Sequence, residues 1–287
     1  TEFMRNQRRA IFCEITRGRL KIIKCSVNSG QDRSRGFWHG YIQKVKNQMI
    51  CKENTCLKKL IIIPAFNEEK NIVRTVENIK ASAPSFDYVI INDCSTDGTR
   101  RICEENKYNI VNLPINLGIG GAVQTGYKYA FRHHYDMAVQ VDGDGQHNPC
   151  FLEKMSEKLV NDDLDMVIGS RFITKEGFQS SPLRRIGIVY FTKLIKLLTG
   201  KTITDPTSGL RMVNRKIIEQ FANDYPTDYP EPESVVAVVK KGRRIEEIPV
   251  IMEERKEGVS SISAHKSVYY MIKVSLAIFI ERIRREK

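Results

Sequence analysis

The chain has 287 residues, 41% hydrophobic and 28% charged, which suits one large domain with appendages and excludes disorder as the default. Its net charge of +12 is uneven, because residues 1 to 48 hold 11 of the 46 Lys and Arg but 3 of the 34 Asp and Glu, so basicity says little about the rest. Seven cysteines at 13, 25, 51, 56, 94, 103 and 150, odd in number and without paired close spacings, argue against a disulfide framework or a zinc cluster and read as reduced thiols.

Residues 1 to 48 show no sustained helical or alternating apolar pattern and are expected to be a poorly ordered basic extension ahead of a natural start at Met49. Such an arm can attract phosphates of nucleic acid or anionic lipid. Nucleic acid is not expected as a partner, since nothing else in the chain supports it. The opening lacks an apolar core followed by a small-residue cleavage site, so a cytoplasmic location is expected.

From residue 59 to about 170, short apolar runs alternate with helical stretches. The runs 60–63, 88–91, 110–113, 137–141 and 166–168 are short and rich in branched residues, as buried strands are. Between them, 68–81, 96–107, 118–134 and 149–161 have helical spacing. This order predicts an α/β fold, a Rossmann-like, mainly parallel sheet flanked by helices on both faces. Ligands of such sheets gather where strands end, and PAFNEE, NDCSTDGT, NLGIGGA and DGDGQH all follow strands. All four segments are therefore predicted at one carboxyl edge.

DGDGQH puts Asp142 and Asp144 one residue apart beyond a strand. An acid-x-acid pair there suits a hard divalent cation, Mg2+ or Mn2+, which keeps coordination positions open for phosphate oxygens. Gln146 is near enough to be a further oxygen ligand, direct or through water. Nucleotide-diphosphate chemistry is the implication, set against the plain alternative of a polar turn. NLGIGGA opens a helix, where Gly118, Gly120 and Gly121 allow close backbone approach and unpaired N–H groups suit an anion. The arrangement superficially suggests a dehydrogenase, but it follows the third strand and no GxGxxG is present there.

PAFNEEKNI at 64–72, INDCSTDGT at 91–99, NLGIGGAVQTGYKYA at 116–130, DGDGQH at 142–147 and GSRF at 169–172 together resemble the family 2 glycosyltransferases. The resemblance spans roughly residues 58 to 262 and implies an inverting, metal-dependent enzyme of the GT-A fold. DPTSGLR at 205–211 resembles dolichol-phosphate mannosyltransferase-like and bacterial polysaccharide-assembly members, and YPEPES at 229–234 resembles the latter more closely. What the resemblance implies for donor binding is that Pro64, Ala65, Phe66, Asn67 and Glu68 cradle the nucleotide. Asn92 and Asp93 then stand where the family commonly has two acids, one reading the base. Asn116, Gly118, Gly120 and Gly143 complete the loops around the donor. Arg171 of GSRF can complement the diphosphate charge with a planar fork.

Beyond residue 172 the pattern turns toward an acceptor. Residues 183–199 form an amphipathic helix bearing Arg184, Arg185, Lys193 and Lys196, suited either to a membrane surface or to docking over the site. The resemblance places Asp205 near the reaction centre. An inverting transfer to a hydroxyl needs a base, and Glu231 and Glu233, at the start of a helical run, are the candidates. If the acceptor were a lipid phosphate, already anionic, the glutamates would orient it instead. RKEGVSSIS at 255–263 resembles a basic loop that closes over the diphosphate, with Arg255 and Lys256 as cations and Ser261 where a Lys often stands. The tail 267–280 is apolar apart from Lys273 and too short to span a bilayer, which needs about 20 residues. It is expected to lie on a membrane, to dock on a membrane protein, or to pack on the domain or a second subunit.

The expected organisation is thus an extension at 1–48, a GT-A domain at 49–262 with acceptor and lid helices toward its end, and a C-terminal amphipathic helix at 263–287. The expected activity is metal-dependent, inverting transfer of a sugar from a nucleotide-diphosphate donor to a lipid-linked glycan in cell-surface polysaccharide synthesis, peripheral at the cytoplasmic face. Two alternatives are kept: transfer to a polyprenyl phosphate itself, and a non-catalytic protein that binds sugar nucleotides as a scaffold.

Overall fold

The computed structural model describes residues 13–16, 19–22, 57–177, 182–228, 230–253 and 264–283. The chain forms two units, Thr1–Cys56 and Leu57–Lys287. In the first, β1 (Cys13–Thr16) pairs antiparallel with β2 (Arg19–Ile22). The remainder of the expected basic extension lies outside the described residues, as do Arg255, Lys256 and Ser261.

The second unit is built on a seven-stranded sheet of order β5-β4-β3-β6-β8-β7-β9. These strands are β3 (Lys59–Ala65), β4 (Asp87–Asn92), β5 (Ile110–Asn112), β6 (Met137–Gln140), β7 (Met166–Ser170), β8 (Arg211–Asn214) and β9 (Ile245–Pro249). Strand β3 pairs parallel with β4 and β6, and β4 with β5. Strand β8 runs antiparallel between β6 and β7, and β9 joins β7 in parallel. The mainly parallel sheet is therefore as the alternation of elements predicts. The strand inserted between β6 and β7 comes from a region whose four residues, headed by Arg211, carry no readable run.

The apolar alternation of β3 divides the core. Leu60 and Ile62 face one side with Val89, Ile91 and Val213, while Ile61 and Ile63 face the other with Ile90, Val139 and Val167. Helices α1 (Ile72–Ser82), α2 (Thr99–Glu105) and α4 (Leu152–Asn161) contribute to the second face. The first is covered by α3 (Gly118–Arg132), α5 (Pro182–Thr199), α6 (Arg215–Asn223), α7 (Pro230–Lys240) and α8 (Ala264–Ile283). Both faces are covered by helices, as strands that read as continuous hydrophobic runs require. Gly126 lets α3 sit against β3, because a Cβ there would lie 2.2 Å from Ile62 Cγ2.

Helix α1 begins four residues later than the spacing predicts. Residues 68–71 instead form a turn in which the N–H groups of Asn71 and Ile72 both donate to Glu68 O, at 2.9 Å each. That turn keeps the first motif at the strand end.

Candidate active site

The loops after β3, β4, β5 and β6 converge at the carboxyl edge, as predicted, and they are stitched to one another. Asn67 takes a left-handed backbone conformation at φ 57°, and its N–H donates to Ser95 Oγ at 3.0 Å while its Oδ1 accepts from Thr96 N at 2.8 Å. Glu68 N donates to Thr99 Oγ1 at 2.9 Å, and Glu69 N to Asp97 Oδ2 at 3.1 Å. Partial burial opposes ionisation of Asp97, but hydrogen bonds from Thr99 and Glu69 outweigh it and hold the carboxyl below its ordinary value. Pro64 and Ala65 are buried at the end of β3, and the ring of Phe66 stands exposed beyond them. An exposed ring next to a fixed loop is available to stack on a planar group.

Asn92 and Asp93 are both buried. Asn92 donates through Nδ2 to Asn112 Oδ1 at 2.7 Å and accepts from Ser95 N at 3.2 Å. Asp93 Oδ1 accepts from Leu117 N at 2.7 Å, and its carbonyl accepts from Asn116 Nδ2 at 3.2 Å. The pair implied to read a base is thus engaged in joining β4 to the strand and helix that follow. Gly118 adopts φ 75°, where an L side chain is strained, and Gly120 abuts another loop, since a Cβ there would come 2.2 Å from Thr227 O.

In DGDGQH, Asp142 is held from three sides. Its Oδ1 accepts from Gln140 Nε2 at 2.9 Å, its N–H donates to His147 Nδ1 at 3.1 Å, and His147 Nε2 lies 3.7 Å from Oδ2. A Cβ on Gly209 would sit 3.0 Å from that same Oδ2. The Asp142 side chain nevertheless keeps 37% of its surface open. Asp144 Oδ1 accepts from Gln146 N at 3.0 Å, which folds the turn, and Thr75 Oγ1 of α1 donates to Gly143 O at 3.0 Å between the two acids. Gln146 turns its amide nitrogen to Glu253 O at 3.4 Å. Among the described residues no group of three His, Cys, Asp or Glu side chains could hold a metal ion. The site therefore offers two carboxylates and an amide, hard oxygen donors that fit a cation needing further ligands from phosphate or water.

The second half of the edge is differently made. Arg171 and Asp205 face each other, with Nε to Oδ2 at 2.7 Å and Nη2 to Oδ1 at 2.8 Å, and Asp205 is completely buried. Arg171 was expected on the diphosphate and Asp205 near the reaction centre, but their side chains form a bidentate pair beneath the surface. Glu247 of β9 accepts from Thr204 N at 2.7 Å and Asp205 N at 2.9 Å. Burial pushes its carboxyl above the ordinary range, while those two N–H groups oppose the shift. Arg211, also buried, donates to the carbonyls of Ser208, Pro206 and Glu231 and to Ser234 Oγ, tying the DPTSG loop to the first turn of α7.

That turn separates the two glutamates. Burial raises the Glu231 carboxyl above its ordinary value, Arg211 opposes this, and the neighbouring charge of Asp142 adds to it. Glu231 therefore feels the charge of Asp142. Glu233, two residues on and so on another side of the helix, lines a cavity of 220 Å3 with Asp224, Tyr225, Thr227 and Lys241.

Gln140, Arg211, Glu247 and Thr75 hold this geometry, and none is singled out by the sequence. Gln140 left a signal, being the lone polar residue inside the apolar run AVQV. Arg211 stood within a motif but without a partner to define it, and β9 carries two glutamates that mask its period.

Comparison with known proteins bears on the family and the fold. Residues 60–221 match the family model described as glycosyl transferase family 2. A UDP-N-acetylglucosamine–dolichyl-phosphate N-acetylglucosaminyltransferase of Methanococcus voltae is 31% identical over 66% of this chain and 83% of its own length. An undecaprenyl-phosphate mannosyltransferase of Micrococcus luteus is 28% identical over 72% of this chain and 88% of its own. Among solved structures, glucosyl-3-phosphoglycerate synthase of Mycobacterium tuberculosis with Mn2+, UDP and phosphoglyceric acid has a TM-score of 0.61 at 15% identity, covering 82% of this chain and 81% of that one. The fold is the expected GT-A fold.

Proposed function

We propose that this chain, which belongs to glycosyl transferase family 2, moves a sugar from a nucleotide-diphosphate donor to a polyprenyl-phosphate acceptor. The observation that carries the reading is the half-open Asp142 at the edge where the loops after β3, β4, β5 and β6 converge, with its charge felt at Glu231 of helix α7. Two relatives named for transfer to dolichyl or undecaprenyl phosphate support the acceptor class, and favour the bare lipid phosphate over a longer lipid-linked glycan.

Asp142 and Asp144, with Gln146 as a further oxygen donor, would hold Mg2+ or Mn2+, whose chemistry when bound is Lewis-acid stabilisation of the departing nucleoside diphosphate. Phe66 walls the nucleotide and the stitched loops 64–69 and 92–99 fix its approach. Asn92 and Asp93 act as positioning residues that set β4 against α3. Arg171, Asp205 and Arg211 hold the acceptor-side loop in shape beneath the surface. Glu231 orients the incoming acceptor, whose phosphate oxygen is already a nucleophile and needs no proton removed. Glu233 has no part in this step.

The test is a screen of nucleotide sugars with Mg2+ and with Mn2+, offering a short-chain polyprenyl phosphate. Sugar appearing on the lipid phosphate from one donor is expected. Transfer to a lipid-linked glycan but not to the bare phosphate would overturn the acceptor class, and tight donor binding with no turnover would overturn catalysis.

A further inference from the structure

His147 closes the DGDGQH turn, is only 4% exposed, and meets Asp142 with both ring nitrogens. Nδ1 accepts the Asp142 N–H at 3.1 Å, and Nε2 lies 3.7 Å from Asp142 Oδ2. Among the described residues the ring makes no other hydrogen bond. The first contact fixes where the proton sits. Nδ1 accepts an N–H only through its lone pair, so the neutral imidazole carries its hydrogen on Nε2. A metal ion binds imidazole through such a lone pair, and here one is spent and the other nitrogen is protonated. His147 is thus a poor ligand for the cation, and its Nε2–H is instead a donor that faces a carboxylate oxygen. The gap of 3.7 Å is longer than a formed hydrogen bond, and active-site contacts of this kind often tighten only once the reacting complex assembles.

The chain holds the ring from both sides. Before it, Glu253 N donates to Gln146 O at 3.0 Å, and His147 itself forms an antiparallel bridge with buried Met252. After it, Asn148 Oδ1 accepts from Cys150 N at 3.0 Å and starts the short 3-10 turn Pro149–Phe151. The backbone therefore aims the ring, as a group that must orient another requires. Residues 252 and 253 continue the chain beyond β9, so a segment of the acceptor half fixes the ring that faces an acid of the donor half. Gln140 Nε2 donates to Asp142 Oδ1 at 2.9 Å while His147 faces Oδ2. Each oxygen of Asp142 thus has its own neutral N–H donor and keeps lone-pair room for a cation.

We propose that His147 is a positioning residue of the cation site: protonated on Nε2, it draws Asp142 Oδ2 into a hydrogen bond when a divalent cation binds, and it is not itself a ligand. The inference rests on the reading of Asp142 and Asp144 as the carboxylates that hold the cation.

Calorimetric titration of the full chain with Mn2+ tests this without donor or acceptor. His147→Leu should weaken Mn2+ binding about tenfold or more, the scale for a lost supporting group. His147→Gln, which restores an N–H near the reach of Nε2, should recover much of that loss, and His147→Asn, which restores only an acceptor for the Asp142 N–H, should recover less. Nitrogen NMR of the histidine-labelled parent should show the Nε2-protonated tautomer with and without Mg2+, and the His147 Nε2 signal should move as Mg2+ binds. A ring that merely packs would leave that signal in place. Leucine and glutamine variants that bind Mn2+ as the parent does would overturn the proposal, as would a glutamine variant no better than the asparagine one. So would a direct Mn–N coupling in pulsed electron resonance that His147→Gln abolishes, since the ring would then be a ligand. If the leucine variant fails to fold, the order of the glutamine and asparagine variants and the NMR signal decide. Asp142→Asn separates this inference from the reading beneath it. Parent-like Mn2+ binding by Asp142→Asn would sink both, whereas loss there with none in His147→Leu would sink the role of His147 alone.

Discussion

The two halves of the carboxyl edge handle charge in opposite ways. On the donor half, after β3 to β6, amides, hydroxyls and the carboxylates of Asp93 and Asp97 lace the loops together through backbone N–H groups, with no cation among these contacts, and the Asp142 carboxylate is left partly open. On the acceptor half, around β7 to β9, the charged motif residues are buried against one another, Arg171 on Asp205 and Arg211 on four backbone and hydroxyl oxygens. The contrast teaches that a polar motif at a strand end can either meet a ligand or hold the loop that does. Burial separates the two, and residue type does not.

The largest expected effect breaks the buried half. Arg171→Leu strands the Asp205 carboxylate without its partner and should cost about 3–5 kcal/mol in urea unfolding. The double variant Arg171→Leu, Asp205→Leu should recover much of that stability while activity stays low, because loop shape is lost though no charge is stranded. Recovered activity in the double variant would mean the pair does not shape the site.

On the open half the signs reverse. Asp142→Asn or Asp144→Asn should lower Mn2+-dependent nucleotide binding and turnover by about a hundredfold or more, beyond what lost supporting contacts cost, and leave melting nearly unchanged. A large drop in melting temperature would place these acids in the structural class instead. A smaller effect should follow from Gln140→Leu, which removes the amide that orients Asp142 Oδ1. Isothermal titration with Mn2+ should show about a tenfold loss of affinity, the usual scale for a supporting hydrogen bond.

The smallest effect concerns pH. The Glu247 carboxyl is raised above its ordinary value of 4.5 in the folded chain, so between 4.5 and its folded value the native state holds a proton that the unfolded chain has released. Stability from this group is therefore greatest below that window and declines as pH rises through it. Glu247→Gln should flatten that part of the melting temperature against pH, and an unchanged slope would assign the titration elsewhere.

Much of the donor half was legible in the sequence because each strand announces itself by an apolar run and each loop by its polar residues. Leu60 to Ile63 and the acids of DGDGQ needed no partner to be recognised. The acceptor half was hidden because its meaning lies in pairings across 34 and more residues, Arg171 with Asp205 or Arg211 with Ser234. Strand β8 has four residues and β9 carries two glutamates, so neither shows a period. Glu231 and Glu233 look alike in sequence, and only the turn of α7 sets one where burial and the charges of Arg211 and Asp142 act on it and the other at a separate cavity.

The reversed direction of β8 has an architectural result. Because it runs against β6 and β7, its first residue, Arg211, sits opposite Gln140 at the end of β6, and the incoming segment with Gly209 arrives against Asp142. Its last residue, Asn214, pairs with Met137 at the far margin and leads away into α6. Splicing experiments should feel this asymmetry: one added residue between Asp205 and Arg211 shifts the wall against Asp142, whereas one added where Asn214 gives way to α6 falls at the far margin.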